Sequence, residues 1–214
     1  MIEKECEKHV EKIILYFEDK VELEIKKIPQ TVTELIIENY NMHTNREETE
    51  DSTSVTIKLR GELRDILIPP CIKKIIINTD LIKLSKEKNI IPDTVSHLII
   101  GNNYTNEIIK GVIGNSITHL SIQSKIQGDI SIPKSVINLS INYDNNIKIP
   151  NTVRILRYLN NITENLDDDN LPKNLEELIL LKTHFFNFVN YSKKILCGVY
   201  DNKTDDDIEY VSYI

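Results

Sequence analysis

A short pattern of apolar and polar positions recurs along the chain and is clearest at residues 91–106, IPDTVSHLIIGNNYTN. An apolar residue precedes a proline, and Val95, Leu98 and Ile100 then follow at spacings of three and two before a polar turn. The spacing of two places Leu98 and Ile100 on one face of a β-strand. The same pattern predicts one strand in each of the segments 28–37, 68–77, 113–122, 132–141, 149–158 and 171–180.

The spacing of these segments predicts a solenoid. Between Pro69 and Pro172 the prolines, with Gly114 in the place of one, follow each other at intervals of 17 to 23 residues. Proline fixes its own φ and favours extended geometry in the preceding residue, which suits a corner that leads into a strand. The apolar residue before each proline is predicted to pack from the wall opposite the strands. A single turn cannot bury its apolar face, whereas stacked turns bury a continuous core.

The N-terminal part of the chain is less regular. A degenerate turn with Ile57 and Leu59 in its strand is predicted in the 40-residue interval between the first two prolines, which gives nine turns in all. Residues 10–17 fit the strand of a first turn, although a helix within residues 1–18 competes with it. The polar run 38–53 is predicted to be a surface excursion.

The repeat pattern also sets the predicted domain organisation. Residues 1–183 are predicted to form the solenoid, with a short cap within residues 1–9, and residues 184–214 to form a C-terminal cap. The apolar runs ILCGVY and IEYVSYI in this tail suit a hairpin or strands. A cap is expected because the end of a solenoid otherwise exposes its core to water.

The repeat resembles a known family. The spacing of Val95, Leu98, Ile100 and Asn103 is similar to the leucine-rich repeat, and the run 91–108 looks like the FNIP repeat, a short variant found in social amoebae and giant amoebal viruses. The resemblance implies a leucine-rich-repeat-like solenoid, mostly β, capped at both ends. It implies parallel strands on the concave face, irregular or short helical turns on the convex face, and a role in protein–protein interaction. It also implies a giant amoebal virus or an amoeba as the source.

The asparagine position of the leucine-rich repeat is where this chain departs from the pattern. A continuous asparagine ladder is not expected, because the position holds several residue types: Tyr40, Asp80, Asn103, Lys125, Asp144, Asn161 and Thr183.

Composition narrows the range of functions. A formal net charge of −7 argues against a nucleic-acid-binding surface, which needs a basic stripe. No apolar run has the length of a membrane span, and the N-terminus lacks the apolar core of a signal peptide. Three cysteines far apart in sequence favour a reduced, intracellular compartment, which is the host cytoplasm if the source is viral.

Candidate chemistry is sparse. His97 and His119 hold equivalent positions in neighbouring turns, and strands about 4.8 Å apart would bring their rings together. A metal pair is conceivable, but a metal usually takes three or four protein ligands, and the adjacent turns offer Lys74 and Asn138. A ladder of surface side chains is therefore the favoured interpretation. With no catalytic or phosphate-binding motif, no enzyme activity, cofactor or metal is predicted.

The functional hypothesis is a protein-binding patch on the concave strand face. Its residues alternate with the buried ones and are expected to face solvent; they are His97, Ile99, His119, Ser121, Asn138, Ser140 and Arg157. Arg157 is the expected energetic anchor, since arginine is enriched among binding hot spots. The alternative interpretation is that isoleucine occupies the exposed strand positions only because of its high β propensity and because of codon bias, without any role in binding. A binding loop around Arg46 and Glu48 would compete with the patch.

Two other functions stay open. The first is a substrate-recognition subunit of a ubiquitin ligase that works with a separate F-box protein or adaptor, as the resemblance implies. The second is an enzyme with its site on the C-terminal cap. The sequence leaves the identity of the partner, the pathway and the oligomeric state open.

Overall fold

The structure is a computed structural model of the 214-residue chain. It describes residues 12–17, 31–39, 54–59, 68, 70–80, 82–84, 91–108, 110–126, 130–162, 165–181, 189–190, 195–200 and 208–213. The predicted cap within residues 1–9 and the centre of the predicted excursion, residues 40–53, lie outside these ranges.

The described residues form strands and turns and contain no helix. The strands in chain order are β1 (Lys12–Phe17), β2 (Glu34–Asn39), β3 (Ser54–Leu59), β4 (Lys74–Asn78), β5 (His97–Ile100), β6 (His119–Ile122), β7 (Asn138–Ile141), β8 (Ile155–Tyr158), β9 (Leu166–Asp167), β10 (Glu177–Leu181), β11 (Val189–Asn190), β12 (Leu196–Tyr200) and β13 (Ile208–Tyr213). Eleven of them form one sheet in the order β13-β12-β10-β8-β7-β6-β5-β4-β2-β1-β3, and β9 pairs with β11.

The main sheet is the strand face of a parallel β-solenoid. Strands β4 to β8 and β10 begin 23, 22, 19, 17 and 22 residues apart, so they delimit five turns. Each strand pairs with the next in parallel and without a register slip. The prediction of a mostly β, leucine-rich-repeat-like solenoid is confirmed.

Alternating burial explains why these short segments form strands. In β5, Leu98 and Ile100 are fully buried, whereas His97 and Ile99 are half-buried on the other face. The registers stack Leu98 between Ile75 and the leucine of β6, so each aliphatic side chain packs on its equivalents in the turns above and below. β-Branched side chains suit such a pleated, packed surface.

A tight turn at each repeat proline directs the chain into the next strand. The N–H of Val95 donates to the carbonyl oxygen of Pro92 at 3.0 Å, and the same bond joins Val136 to Pro133 at 3.1 Å. Gly114 closes the equivalent turn with Ile117, so it substitutes for proline without loss of the corner. The residue that donates is fully buried in each case, so its side chain points into the core.

The wall opposite the sheet is apolar, as predicted for the residues that precede the prolines. Ile91 and Ile132 are buried in the core cluster, and Ile130 joins them from two positions before Ile132. Tyr104 fills this wall between turns: it is 1% exposed, and its hydroxyl oxygen accepts a hydrogen bond from the N–H of Leu84 at 3.2 Å. Burial raises the pKa of Tyr104, so the phenol stays neutral.

The predicted position of the degenerate turn was wrong. A strand does form at 54–59, but it pairs with β1 and lies at the edge of the sheet. β2 pairs directly with β4, so Ile36 lies beside Ile76, and the simple count of nine turns does not hold. The segment before β3 lacks the proline that makes the corner in the regular turns. The direct pairing of β2 with β4 keeps the aliphatic columns of these two strands continuous. The strand predicted within 10–17, in contrast, is confirmed by β1.

Asparagine side chains do link successive turns, although not through the position expected from the leucine-rich repeat. The Oδ1 atom of Asn78 accepts from the N–H of Asn103 at 3.0 Å, and Asn142 donates to two carbonyl oxygens of the preceding turn. Asn160 both accepts from the N–H and donates to the carbonyl oxygen of Tyr143. These side-chain amides form hydrogen bonds with backbone groups that the short strands do not pair.

The sheet continues past the predicted domain boundary at residue 184. β12 pairs in parallel with β10, and β13 then pairs with β12 in the antiparallel sense with an irregularity at Cys197/Gly198. Cys197 is buried in the main core cluster. The division into residues 1–183 and 184–214 stays a prediction.

The alternation in β5 gives a direct test of the register. We expect Leu98→Ala to lower the free energy of unfolding by about 2–5 kcal/mol, because it removes buried methyl groups and leaves a cavity. The neighbouring Ile99→Ala is the matched control and should cost about 1 kcal/mol or less, because Ile99 is half-exposed. Urea titration of both variants measures the two values. Equal losses would contradict the register.

Gly101 provides a second test, because Asn78 occupies the space where a side chain would lie. A Cβ atom at Gly101 would be 2.6 Å from Cγ and 2.8 Å from Cβ of Asn78. We expect Gly101→Ala to destabilise the protein by about 1–3 kcal/mol through overpacking. In the Asn78→Gly background the same substitution should cost at least about 1 kcal/mol less. Additive losses in the double-mutant cycle would show that Asn78 is not the cause.

Candidate interaction face

The structure brings the seven predicted patch residues together on the outer face of the sheet, which is the face turned away from the core. We call them the central patch: His97, Ile99, His119, Ser121, Asn138, Ser140 and Arg157. The strand registers arrange them in two columns, His97–His119–Asn138 and Ile99–Ser121–Ser140–Arg157. All seven are partly exposed. Their role in binding stays a prediction.

The two histidines form a stacked pair, which confirms that neighbouring turns bring them together. Their ring centroids are 4.0 Å apart and their planes are inclined by 12°. The residue before each histidine holds its ring: the Nδ1 atom of His97 lies 2.9 Å from the hydroxyl of Ser96, and Nδ1 of His119 lies 2.9 Å from the hydroxyl of Thr118. This repeated Ser/Thr-His pair is visible in the sequence as SHLII and THLSI, and the spacing of the apolar residues alone does not reveal it.

Each of these hydroxyls also lies within hydrogen-bonding distance of a backbone carbonyl of the preceding turn. The hydroxyl of Ser96 is 3.4 Å from the carbonyl oxygen of Lys73, and that of Thr118 is 3.3 Å from the carbonyl oxygen of Ser96. Each hydroxyl therefore links its histidine ring to the neighbouring turn.

The electrostatic surroundings keep His97 neutral at pH 7. Burial, the neighbouring His119 and the Lys74 ammonium group together lower the pKa of His97 from its ordinary value of 6.5. Lys74 in turn forms an ion pair with Glu34, with its Nζ atom 3.1 Å from Oε1. The column is therefore charged where it continues towards β2, at Lys74 and Glu34, and uncharged at His97.

The outer face is covered at its C-terminal end. Ile179 and Leu181 are only 5% and 7% exposed and form a separate apolar cluster with Tyr200, against which Ile155 packs. These large side chains cover each other, so this end of the face is closed to solvent.

Arg157, the expected anchor for a partner, contacts this cluster. Its guanidinium carbon lies 3.8 Å from the centroid of the Tyr200 ring, a cation–π contact. The hydroxyl of Tyr200 donates to the carbonyl oxygen of Tyr158 at 3.0 Å, so the contact joins β12 to β8 across β10. The sequence pattern did not predict Tyr200, because it lies beyond the last repeat.

Other candidate chemistry finds little support. Among the described residues no group of three or more His, Cys, Asp or Glu side chains could hold a metal ion. The Asp167 carboxylate accepts from the N–H of Asp169 at 3.0 Å and so closes a turn. Within the part of the chain that the structure describes, no helix has the length and hydrophobicity of a membrane crossing.

These features define the class of protein as a β-solenoid repeat protein. Residues 85–125 match the FNIP Repeat family, which covers the strands of the histidine pair and the turn between them. The resemblance seen in the sequence is thus confirmed for the segment that carries it most clearly. Neither the curated proteins nor the solved structures contain a match to the chain.

The lowered pKa of His97 predicts a specific pH dependence of stability. As the pH falls, the unfolded chain binds the proton before the folded protein does. The contribution of His97 is therefore complete above its ordinary pKa of 6.5 and is lost as the pH falls from there towards the folded pKa. We expect His97→Gln to reduce the fall in unfolding free energy between about pH 6.5 and pH 5. Parallel curves for both proteins would contradict this electrostatic assignment.

Proposed function

We propose that the protein is an interaction module inside the cell that binds a protein partner through the central patch. The observation that supports this most is the arrangement of polar and apolar groups in two registered columns on a rigid sheet. The half-buried Ile99 and its neighbour Ile76 in β4 supply aliphatic surface, and the histidine, serine and asparagine side chains supply hydrogen-bonding groups beside it. Binding to such a preorganised surface orders few new groups and therefore costs little conformational entropy.

The chemistry of the patch favours a protein partner. Its centre combines aliphatic carbon with hydrogen-bond donors and acceptors, which is the composition of an interface core with a polar edge. The hydroxyls of Ser121 and Ser140 and the Nε2 atoms of the histidines point to a ligand rich in hydrogen-bonding groups. Arg157 contributes from the edge of the patch, where its contact with Tyr200 holds the guanidinium group in position.

Affinity capture with a matched pair of variants tests the proposal. Ile99→Glu with Ser140→Lys introduces one charge of each sign on the patch, separated by the strand β6. We expect this variant to keep its melting temperature within a few degrees, because both side chains lie outside the core. It should reduce the recovery of the main partner from cells by about tenfold or more, because each charge would be buried unpaired in the complex.

The control is Thr105→Glu with Asn115→Lys, which introduces the same two charges at exposed positions in the turns. Recovery of the partner should be unchanged with this variant. A patch variant that recovers the partner as well as the wild type does would refute the proposal. Arg157→Ala is unsuitable as the main test, because it also removes the contact that joins β8 to β12.

A further inference from the structure

The open part of the outer face is bounded at both ends of the sheet. Ile36 in β2 is 7% exposed and Ile179 in β10 is 5% exposed, so the column that contains them is covered at both positions. Between them the same column is partly exposed, from Ile76 in β4 to Arg157 in β8. A partner of the central patch therefore lies on the five strands β4 to β8.

The stacked histidines lie near the middle of these five strands. His97 is in β5 and His119 is in β6, and both side chains are partly exposed. His97 is two positions from Ile99 on the same face of its strand, so a protein that packs on Ile99 also covers the His97 ring. Such a cover removes the water that would hydrate a charged imidazole.

A charged His97 ring meets no carboxylate in this part of the sheet. Strands β4 to β8 contain no aspartate or glutamate, and their lysine and arginine residues are Lys74 and Arg157. The charged residues of the turns just before β4 and β5, Lys73 and Asp93, are exposed and lie outside the strands. The strands of the open face thus carry no acidic residue, although the whole chain has a net charge of −7.

The neighbours of His97 in the register disfavour a proton on its ring. On one side lies Lys74 in β4, whose ammonium group is paired with Glu34 one strand further away. On the other side His119 stacks on the ring at a centroid distance of 4.0 Å, and the uncharged Asn138 follows in β7. A proton on His97 would therefore place a further positive charge beside Lys74 in a half-buried position.

We propose that protonation of His97 releases the partner from the central patch, which binds near pH 7 and releases as the pH falls towards about 5. This inference rests on the proposed function, because it concerns the regulation of the same site. In the free protein, water hydrates the charged ring. In the complex the charged ring would be buried beside Lys74 without a carboxylate from its own chain, so the complex favours the uncharged ring.

The lowered pKa of His97 determines the pH range of the release. Burial, His119 and Lys74 hold this pKa below 6.5 in the free protein, and the cover of a partner lowers it further. The affinity is therefore constant above pH 6.5 and falls as the pH drops through the pKa of the free protein. One proton weakens binding by at most about tenfold for each pH unit.

A partner that presented a carboxylate to the ring would give the opposite sign. It would stabilise the charged imidazole, raise the pKa of His97 and bind more tightly as the pH falls. The aliphatic side chains of Ile76 and Ile99 in the neighbouring column favour an apolar cover instead, since interface cores are depleted of charged residues. The direction of the pH dependence therefore distinguishes the two kinds of partner.

The pH profile of partner binding tests the proposal. The full-length protein captures its main partner from cells at pH 7.5, and the purified partner is then titrated against it by biolayer interferometry between pH 7.5 and pH 5.0. Circular dichroism defines the range in which both proteins stay folded. We expect the Kd of the wild type to be about threefold to tenfold higher at pH 5.0 than at pH 7.5. The pKa of His97, followed by NMR, should be lower in the complex than in the free protein.

Two variants assign the pH dependence to the imidazole ring. In His97→Gln the ratio of the two Kd values should fall below about twofold, whatever the substitution does to the affinity itself. Ser121→Ala is the matched control, because it alters the same patch without removing a titratable group. Its Kd ratio should equal that of the wild type.

Four results would overturn the proposal and leave the proposed function intact. These are a Kd of the wild type that is independent of pH, binding that tightens as the pH falls, a pKa of His97 that rises in the complex, and a Kd ratio of the wild-type size in His97→Gln. Each of them still includes capture at pH 7.5. A wild-type protein that captures no partner at pH 7.5 would instead refute the proposed function and this inference together.

Discussion

The vertical stacking of equivalent aliphatic side chains is the interaction on which the rest of the structure depends. No turn of about 20 residues encloses a core by itself, and each of these turns contributes only a few buried side chains. At about 1.5–3 kcal/mol for each fully buried aliphatic side chain, the stack of turns supplies what one turn lacks. The stacking works only when Leu98 lies on Ile75 and under Leu120, so the register is set by the core.

The same stacking explains the polar structure. Parallel strands of four or five residues leave backbone groups unpaired at both ends, and those groups need partners. Side chains from the next turn provide them: threonine and serine hydroxyls before the strands, and the amides of Asn78, Asn142 and Asn160 after them. The amide of Asn78 in turn requires Gly101 above it, because any side chain there would collide with it. A polar bridge in one turn therefore restricts the residue type in the next.

The sequence predicted the architecture well because the repeat makes the period of the core visible. Alternation at Leu98 and Ile100, and a proline six residues before Leu98, define strand and corner without any long-range information. It was less informative where the repeat is broken. Nothing local shows that β3 pairs with β1 and not with β2, since that choice depends on which neighbours complete the stack.

The candidate site was likewise predictable from the sequence only in part. Periodicity correctly placed the central patch residues in registered columns, and it brought the two histidine rings together. It could not show that Tyr200, from beyond the last repeat, reaches Arg157 and closes the face. Contacts between distant parts of the chain produce no periodic pattern in the sequence.

The position before each strand shows how such a fold acquires different surfaces without a change in its core. Ser96 and Thr118 orient the stacked histidines, Ile137 exposes aliphatic surface, and Arg154 pairs with Glu176 one turn further on. These side chains lie at one level of the stack, and the backbone bonds from these positions to the preceding turn stay the same. A substitution there changes the surface chemistry at little cost in stability, because the buried columns one position away are untouched. The chemistry of this surface is therefore determined by the exposed residue types that neighbouring turns place side by side.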